Sequence, residues 1–151
     1  MATSFTSLRF HVLFSTKNRV RWITDEWEGE LYSYLAGILR AERGRLLEGN
    51  GMDDHIHLLL GIRADQSLAD ILRILKSNSS RWVHEKRKDQ SKFEWQRGYF
   101  GATVSESQVE RVRQYIRNQK SHHRRVSFQE EFLRLLKAHG IQYDERYIWK
   151  S

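Results

Sequence analysis

The sequence predicts an α+β fold: a ferredoxin-like split βαβ arrangement, with a four-stranded antiparallel sheet and additional C-terminal helices. Three observations point there. Residues 6–15 and 55–62 repeat with the period of two that a strand imposes, one apolar set alternating with a different set. Residues 24–42 and 67–82 instead carry apolar side chains at helical spacing. The resulting order is strand, helix, strand, strand, helix, strand, then helices. At 151 residues the chain is expected to be a single domain, 1–151, with a sizeable core.

The first strand puts Leu8, Phe10, Val12 and Phe14 on one face and Arg9 and His11 on the other. Thr24-Asp25-Glu26 then reads as a helix start, with Thr24 as cap and acids in the first turn. Trp27, Leu31, Tyr34, Leu35, Ile38 and Leu39 follow on one side to about Glu42, and Gly44 ends the helix. Arg45-Leu46-Leu47-Glu48 is a short strand, and Gly49-Asn50-Gly51 the turn into the next one. Ser67 caps a second helix in which Leu68, Ile71, Leu72, Leu75 and Trp82 face inward. Residues 85–97 read as a charged, mobile connection. Tyr99 to Ser105 form a strand with Phe100, Ala102 and Val104 on one side, and Ser107 opens a helix carrying Val109, Val112 and Ile116. Ser127-Phe128-Gln129-Glu130 resembles a capping box for a last helix through Ala138, closed by His139-Gly140.

Composition narrows the function classes. There is no cysteine, which excludes disulfides, thiol catalysis and cysteine-ligated zinc. No apolar run approaches the roughly 18 residues of a membrane span. The first residues lack a basic region followed by an apolar one, so no secretory signal and a cytoplasmic setting are expected. Lys and Arg total 26 against 19 Asp and Glu, a net charge of +7 that points to a polyanionic partner, most simply nucleic acid. Arg81-Trp82, Trp95-Gln96-Arg97 and Tyr99-Phe100 put aromatic rings beside basic groups, a pattern on which bases stack, although those rings serve equally as core.

The chemistry-bearing segment is His55-Ile56-His57-Leu58-Leu59-Leu60-Gly61-Ile62. On a strand His55 and His57 share a face, roughly 7 Å apart by strand rise, and Ile56, Leu58, Leu60 and Ile62 make the other face apolar. Side-by-side neutral imidazoles suit a divalent metal; a polar pair on a solvent face is the ordinary alternative. Downstream, Tyr115 and Gln119 lie one helical turn apart on one face, beside the apolar stripe of Val112 and Ile116. Alone, such a tyrosine is an ordinary packing residue. Arg111, Arg113, Arg117, Lys120, Arg124 and Arg125 form either a solvated face or phosphate contacts. His122 and His123 splay apart on a helix and read as basic surface. His11, His84 and His139 have no visible partner, and core or surface roles are expected of them.

Taken in order, His55-Ile56-His57 after Gly51-Met52-Asp53-Asp54, Trp95-Gln96-Arg97-Gly98-Tyr99, and Tyr115-Ile116-Arg117-Asn118-Gln119-Lys120 resemble the single-tyrosine HUH transposases. These are the small TnpA-like proteins of insertion sequences and their repeat-associated relatives. The resemblance runs from about Ser7 to Trp149. One departure is Asp53, where the family often shows proline. The resemblance implies that His55 and His57 are metal ligands, that Gln119 is the third ligand of a Mg²⁺ or Mn²⁺ ion, and that Tyr115 is the nucleophile. It implies an enzyme that cleaves and rejoins single-stranded DNA through a 5′-phosphotyrosine link, acts on hairpin-forming ends, and works as a homodimer. Lys76, Arg81, Arg87 and Lys88 are further candidates for DNA contact.

Two other histidine-strand chemistries fit less well. A metallo-hydrolase of the His-x-His-x-Asp kind needs an acid where Leu59 stands, and a histidine-triad nucleotidyl hydrolase needs a third histidine there. A non-catalytic single-stranded nucleic-acid-binding module of the same fold remains the alternative, although such readers stack bases on sheet aromatics that the histidine strand lacks.

Overall fold

A computed structural model describes residues 4–123 and 125–149; Arg124 lies outside them. The four strands are β1 (Arg9–Ser15), β2 (Arg45–Gly51), β3 (His55–Gly61) and β4 (Phe100–Thr103). They form one antiparallel sheet in the order β2-β3-β1-β4, the split βαβ order expected from the sequence. The helices are α1 (Glu28–Ala41), α2 (Leu68–Lys86), α3 (Val109–Arg117), α4 (Gln119–His122) and α5 (Phe128–Ala138).

Strand alternation divides the interior into two layers. One face of β1 and β3 supplies Val12, Phe14, Ile56, Leu58 and Leu60, which pack with Trp27, Leu31, Leu35 and Leu39 of α1 and its entry and with Ile71, Leu72, Leu75 and Val83 of α2. Full burial of such side chains contributes about 1.5–3 kcal/mol each, so this layer dominates stability. The opposite face is also covered. Leu13 and Phe100 meet Phe128 and Leu136 of α5, while Leu59 and Val104 meet Val109 and Ile116 of α3. In the β1–β3 register Ser15 faces His55 and Leu13 faces His57, so both histidines project beneath the C-terminal helices.

Several boundaries differ from the sequence expectation. α1 starts at Glu28, and the Thr24 contribution is its carbonyl, which accepts from the backbone of Trp27 and Glu28; its side chain does not cap. β2 runs through Gly51, so the reversal falls at residues 52–54. A Cβ at Gly51 would lie 2.2 Å from the His55 carbonyl oxygen, so only glycine lets the chain turn back that tightly ahead of the histidines. Residues 85–97 are not a loose connection. α2 continues to Lys86, Phe93 and Trp95 enter the core, and Trp95 bridges to Thr16. A 3₁₀ turn at Glu106–Gln108 precedes α3, which Ser107 therefore does not cap. Asn118 interrupts the expected single helix, giving α3 and α4. Ser67 and Ser127 do cap, accepting from the backbone N–H of Asp70 and Glu130.

Candidate functional site

The site lies between the histidine face of β3 and helices α3 to α5. Its centre is Glu131, a residue the sequence reading did not single out. On α5 it occupies a core-facing position between Phe128 and Leu135 and is 1 % exposed. An isolated buried carboxylate is costly, so its partners decide the site. Glu131 Oε1 lies 2.8 Å from His123 Nε2, 3.0 Å from His57 Nε2 and 3.5 Å from His55 Nε2. Its Oε2 accepts from the Tyr115 hydroxyl and, at 2.9 Å, from Gln119 Nε2. All four sequence candidates, His55, His57, Tyr115 and Gln119, thus meet on one carboxylate within one chain.

A second layer orients the imidazoles. His55 Nδ1 lies 2.7 Å from Asp54 Oδ1. His57 Nδ1 lies 2.8 Å from His11 Nε2, and the two rings stack at 5.1 Å. His11 is therefore a buried partner of the histidine strand. Its position on the polar face of β1 was legible; its partner required the strand pairing. His123 corrects the expectation of basic surface: its side chain is only 5 % exposed and faces the cluster. His122 is more open, 3.4 Å from Glu131 Oε2. The missed signal for Glu131 is an acid set in the apolar stripe Phe128, Phe132, Leu135 and Leu136.

The charges follow from burial and contacts. Burial alone would raise the Glu131 carboxyl, but hydrogen bonds with His123, His55 and His57 outweigh it and hold the group far below the usual carboxylate range. Burial pushes His57 down to about 4 and, with the neighbouring His57, His11 down to about 3. For His55 the burial penalty is overcome by Asp54 and Glu131, and its pKa is raised. Burial and the adjoining Glu131 carboxylate push the Tyr115 phenol well above its ordinary value.

Helices α3 and α4 are fixed against the sheet. Asn50 Nδ2 donates to the carbonyls of Ile116 and Arg117 at 3.0 and 3.1 Å. Lys120 Nζ donates to the Gly51 carbonyl at 2.6 Å, to Glu28 and to Asn50 Oδ1. Arg117 pairs with Glu48, so part of the basic run is internally neutralised. Among the other basic candidates, Lys76 donates to the carbonyls of Gln96 and Gly98, and Arg87 pairs with Glu26. An open cleft of about 470 Å³ borders Tyr115, with His11, Gln108, Arg111, Leu135 and His139 in its lining.

The donor set fits a divalent cation. One ligand atom from each of His55, His57, His123 and Glu131 lies within 4.8 Å of the others. Gln119 Oε1 is buried with no hydrogen-bond partner among the described residues, on the side chain whose Nε2 bonds Glu131, and is an acceptor left over for a cation.

The sequence profile of the family described as "Transposase IS200 like" matches residues 4–119. The chain belongs to that family. The transposase for insertion sequence element IS200 of Salmonella typhimurium is 29 % identical over 116 residues, covering 74 % of this chain and 76 % of that one. The ISDra2 transposase TnpA of Deinococcus radiodurans is 27 % identical over 117 residues, covering 74 % and 84 %. A solved candidate transposase from Deinococcus radiodurans R1 superposes with a TM-score of 0.61 at 29 % identity, over 79 % of this chain and 95 % of that chain. A REP-associated tyrosine transposase bound to a REP hairpin shares the fold, with a TM-score of 0.61 at 12 % identity over 82 % and 73 %. Membership of an IS200-like transposase family makes DNA transposition and recombination the activity class, and a buried His/Glu cluster able to hold a metal lies at the site. Among the described residues no helix is long and apolar enough to cross a membrane. His123 and Glu131 lie beyond the family match, which ends at Gln119.

Proposed function

We propose that this chain is a metal-dependent transposase that cleaves and rejoins single-stranded DNA, with Tyr115 as nucleophile and His55, His57 and Gln119 as ligands of Mg²⁺ or Mn²⁺. The observation that carries the reading is the meeting of the Tyr115 hydroxyl, Gln119 and the histidine pair on the two oxygens of one buried carboxylate. The Tyr115 oxygen forms a bond to phosphorus as the P–O3′ bond breaks. The 3′ oxygen departs as a hydroxyl, taking up a proton equivalent to the one lost by the phenol, and the 5′ phosphate stays on the tyrosine. The link keeps the energy of the phosphodiester, so a later 3′-hydroxyl reverses the attack and joins new ends. A divalent cation, when bound, supplies positive charge to the non-bridging oxygens and offsets the carboxylate charge that disfavours phenolate. Arg111 in the cleft beside Tyr115 offers a phosphate contact for the incoming strand.

Hairpin-forming DNA ends are the proposed substrate, which the family assignment and the REP hairpin bound by the structural neighbour support. The single-domain organisation, a cytoplasmic setting and a homodimer belong to the same proposal. The packing supports use of Tyr115 with the histidines of its own chain, since its ring lies 5.7 Å from that of His57. The alternative, a non-catalytic strand-binding module, loses support from the sheet: among the described residues α1 and α2 pack on one face and α3 and α5 on the other, where an open sheet would be needed for stacked bases.

The test mixes the protein with single-stranded DNA from the flanks of its own gene, with Mn²⁺ or EDTA, on a denaturing gel. A metal-dependent covalent adduct is expected, lost in Tyr115→Phe while DNA binding stays within about twofold, because the fold is kept: one half-buried hydroxyl contributes only about 0.5–1.5 kcal/mol to it. An adduct that survives the substitution rules Tyr115 out.

A further inference from the structure

The HUH-type reading assigns three protein ligands, and the molecule offers more. We propose that His123 and Glu131 are ligands of the same ion, so that His55, His57, His123 and Glu131 form a four-donor centre within one chain, backed by Gln119. The inference rests on the proposed metal site and extends it to helices beyond the family match.

The distances have the form of a coordination shell. Metal bonds of about 2.0–2.2 Å to nitrogen and oxygen place neighbouring ligand atoms about 2.8–3.6 Å apart, for octahedral through tetrahedral angles. Four of the six spacings fall in that range: 3.1 Å between His55 Nε2 and His123 Nε2, and 2.8, 3.0 and 3.5 Å from Glu131 Oε1 to His123, His57 and His55; the whole set lies within 4.8 Å, so the other two pairs close in by at most about an ångström on binding. The crowding is itself informative. Three imidazole nitrogens surround the single oxygen Glu131 Oε1, and two of them, His55 Nε2 and His123 Nε2, lie 3.1 Å apart. Two N–H groups cannot both point into that space, whereas two bare nitrogens and a carboxylate oxygen can share a cation there.

The surroundings repeat the pattern of a metal centre. Ligating histidines hold their outer nitrogen on a carboxylate or another acceptor, which sets ring orientation and tautomer. Asp54 does this for His55 and His11 for His57. Gln119 Nε2 holds the second oxygen of Glu131, leaving Oε1 free as a further donor. Three imidazoles and one carboxylate favour Mn²⁺ or the later first-row ions over Mg²⁺, which prefers oxygen ligands and keeps its waters.

The experiment is metal binding by the full-length protein without DNA. Calorimetric titration with Mn²⁺ and Mg²⁺ is paired with pulsed electron paramagnetic resonance of the Mn²⁺ complex, which counts coordinated histidine nitrogens. Expected are one Mn²⁺ per chain, bound at least about tenfold more tightly than Mg²⁺, three histidine nitrogens in the wild type, and at least about a tenfold loss of Mn²⁺ affinity in Glu131→Gln and in His123→Gln. His84→Gln, whose histidine bonds the Phe93 carbonyl on the other side of the sheet, should bind as the wild type does. The nitrogen count uses the unaltered protein and so stands even if a variant misfolds. Two nitrogens, with Glu131→Gln and His123→Gln binding normally, would overturn this proposal and leave the His55/His57 reading intact. A wild type that binds no Mn²⁺ would overturn both.

Discussion

His11 provides a sharp test of how the centre is built. His57 Nε2 points at Glu131 and its Nδ1 at His11 Nε2, both within 3.0 Å. Without a cation, the Glu131 carboxylate can only accept, so the His57 proton sits on Nε2 and His11 Nε2–H donates to His57 Nδ1. A cation on His57 Nε2 requires that nitrogen bare. The proton then sits on Nδ1, and His11 must offer a bare Nε2 to receive it. His11 is thus the residue that lets His57 change tautomer without leaving a buried nitrogen unpaired. His11→Phe keeps an aromatic ring beside Phe100 and removes that partner. One buried nitrogen left unsatisfied costs about 1–3 kcal/mol. This is tolerable against a total of about 5–15 kcal/mol, so the variant should fold with a urea midpoint lowered by about 1 M. Its Mn²⁺ affinity should fall about 10- to 100-fold, equivalent to about 1.4–2.8 kcal/mol. The assay is calorimetric titration of His11→Phe beside His84→Gln, whose histidine bonds the Phe93 carbonyl on the other layer and should affect stability alone. Undiminished affinity in His11→Phe would refute the tautomer argument.

Two further outcomes are expected. Lys120→Met removes the donor shared by Gly51, Glu28 and Asn50; with half the lysine side chain in solvent the Glu28 arm adds little, and a loss of about 1.5–3 kcal/mol is expected in urea unfolding, together with slower adduct formation because Gln119 is its neighbour. Equal midpoints for Lys120→Met and for Lys137→Met, an exposed control on α5, would argue against the staple. In EDTA, stability should decline from pH 6.5 toward pH 4. His57, facing His11, His55, His123, Tyr115 and Glu131, has its pKa pushed down to about 4 in the fold. The unfolded chain therefore takes up a proton through that window while the folded chain does not. The cost is about 2 kcal/mol by pH 5, read as a urea midpoint that drops less steeply with acid in His57→Gln.

The sheet, both long helices and the caps at Ser67 and Ser127 were legible because each rests on local chemistry, namely period-two or helical spacing and a hydroxyl that can reach a backbone N–H. The histidine face was legible for the same reason. His123 and Glu131 were not: their roles depend on α5 folding back across the sheet, which no spacing encodes. The loop at 85–97 misled for a related reason. Its charges are real, but Phe93 and Trp95 are spaced too irregularly to announce that they bury. Asn118 and the 3₁₀ turn at Glu106–Gln108 are departures of a residue or two, below what propensity resolves.

The two carbonyls of α3 held by Asn50 have a kinetic consequence. Tyr115, the proposed nucleophile, sits less than one turn before those carbonyls, so the bond fixes its helix to the strand next to the histidines of the same chain. Exchanging that helix with a neighbouring molecule would first break this clasp and the Lys120 contacts. Tyr115 and the histidines then meet at the effective concentration of a folded chain, whatever the number of molecules present. If the proposed chemistry holds, adduct formation on excess DNA should rise in proportion to the amount of protein, with no quadratic onset on dilution, because each chain carries its own tyrosine and histidines, whether or not it is paired.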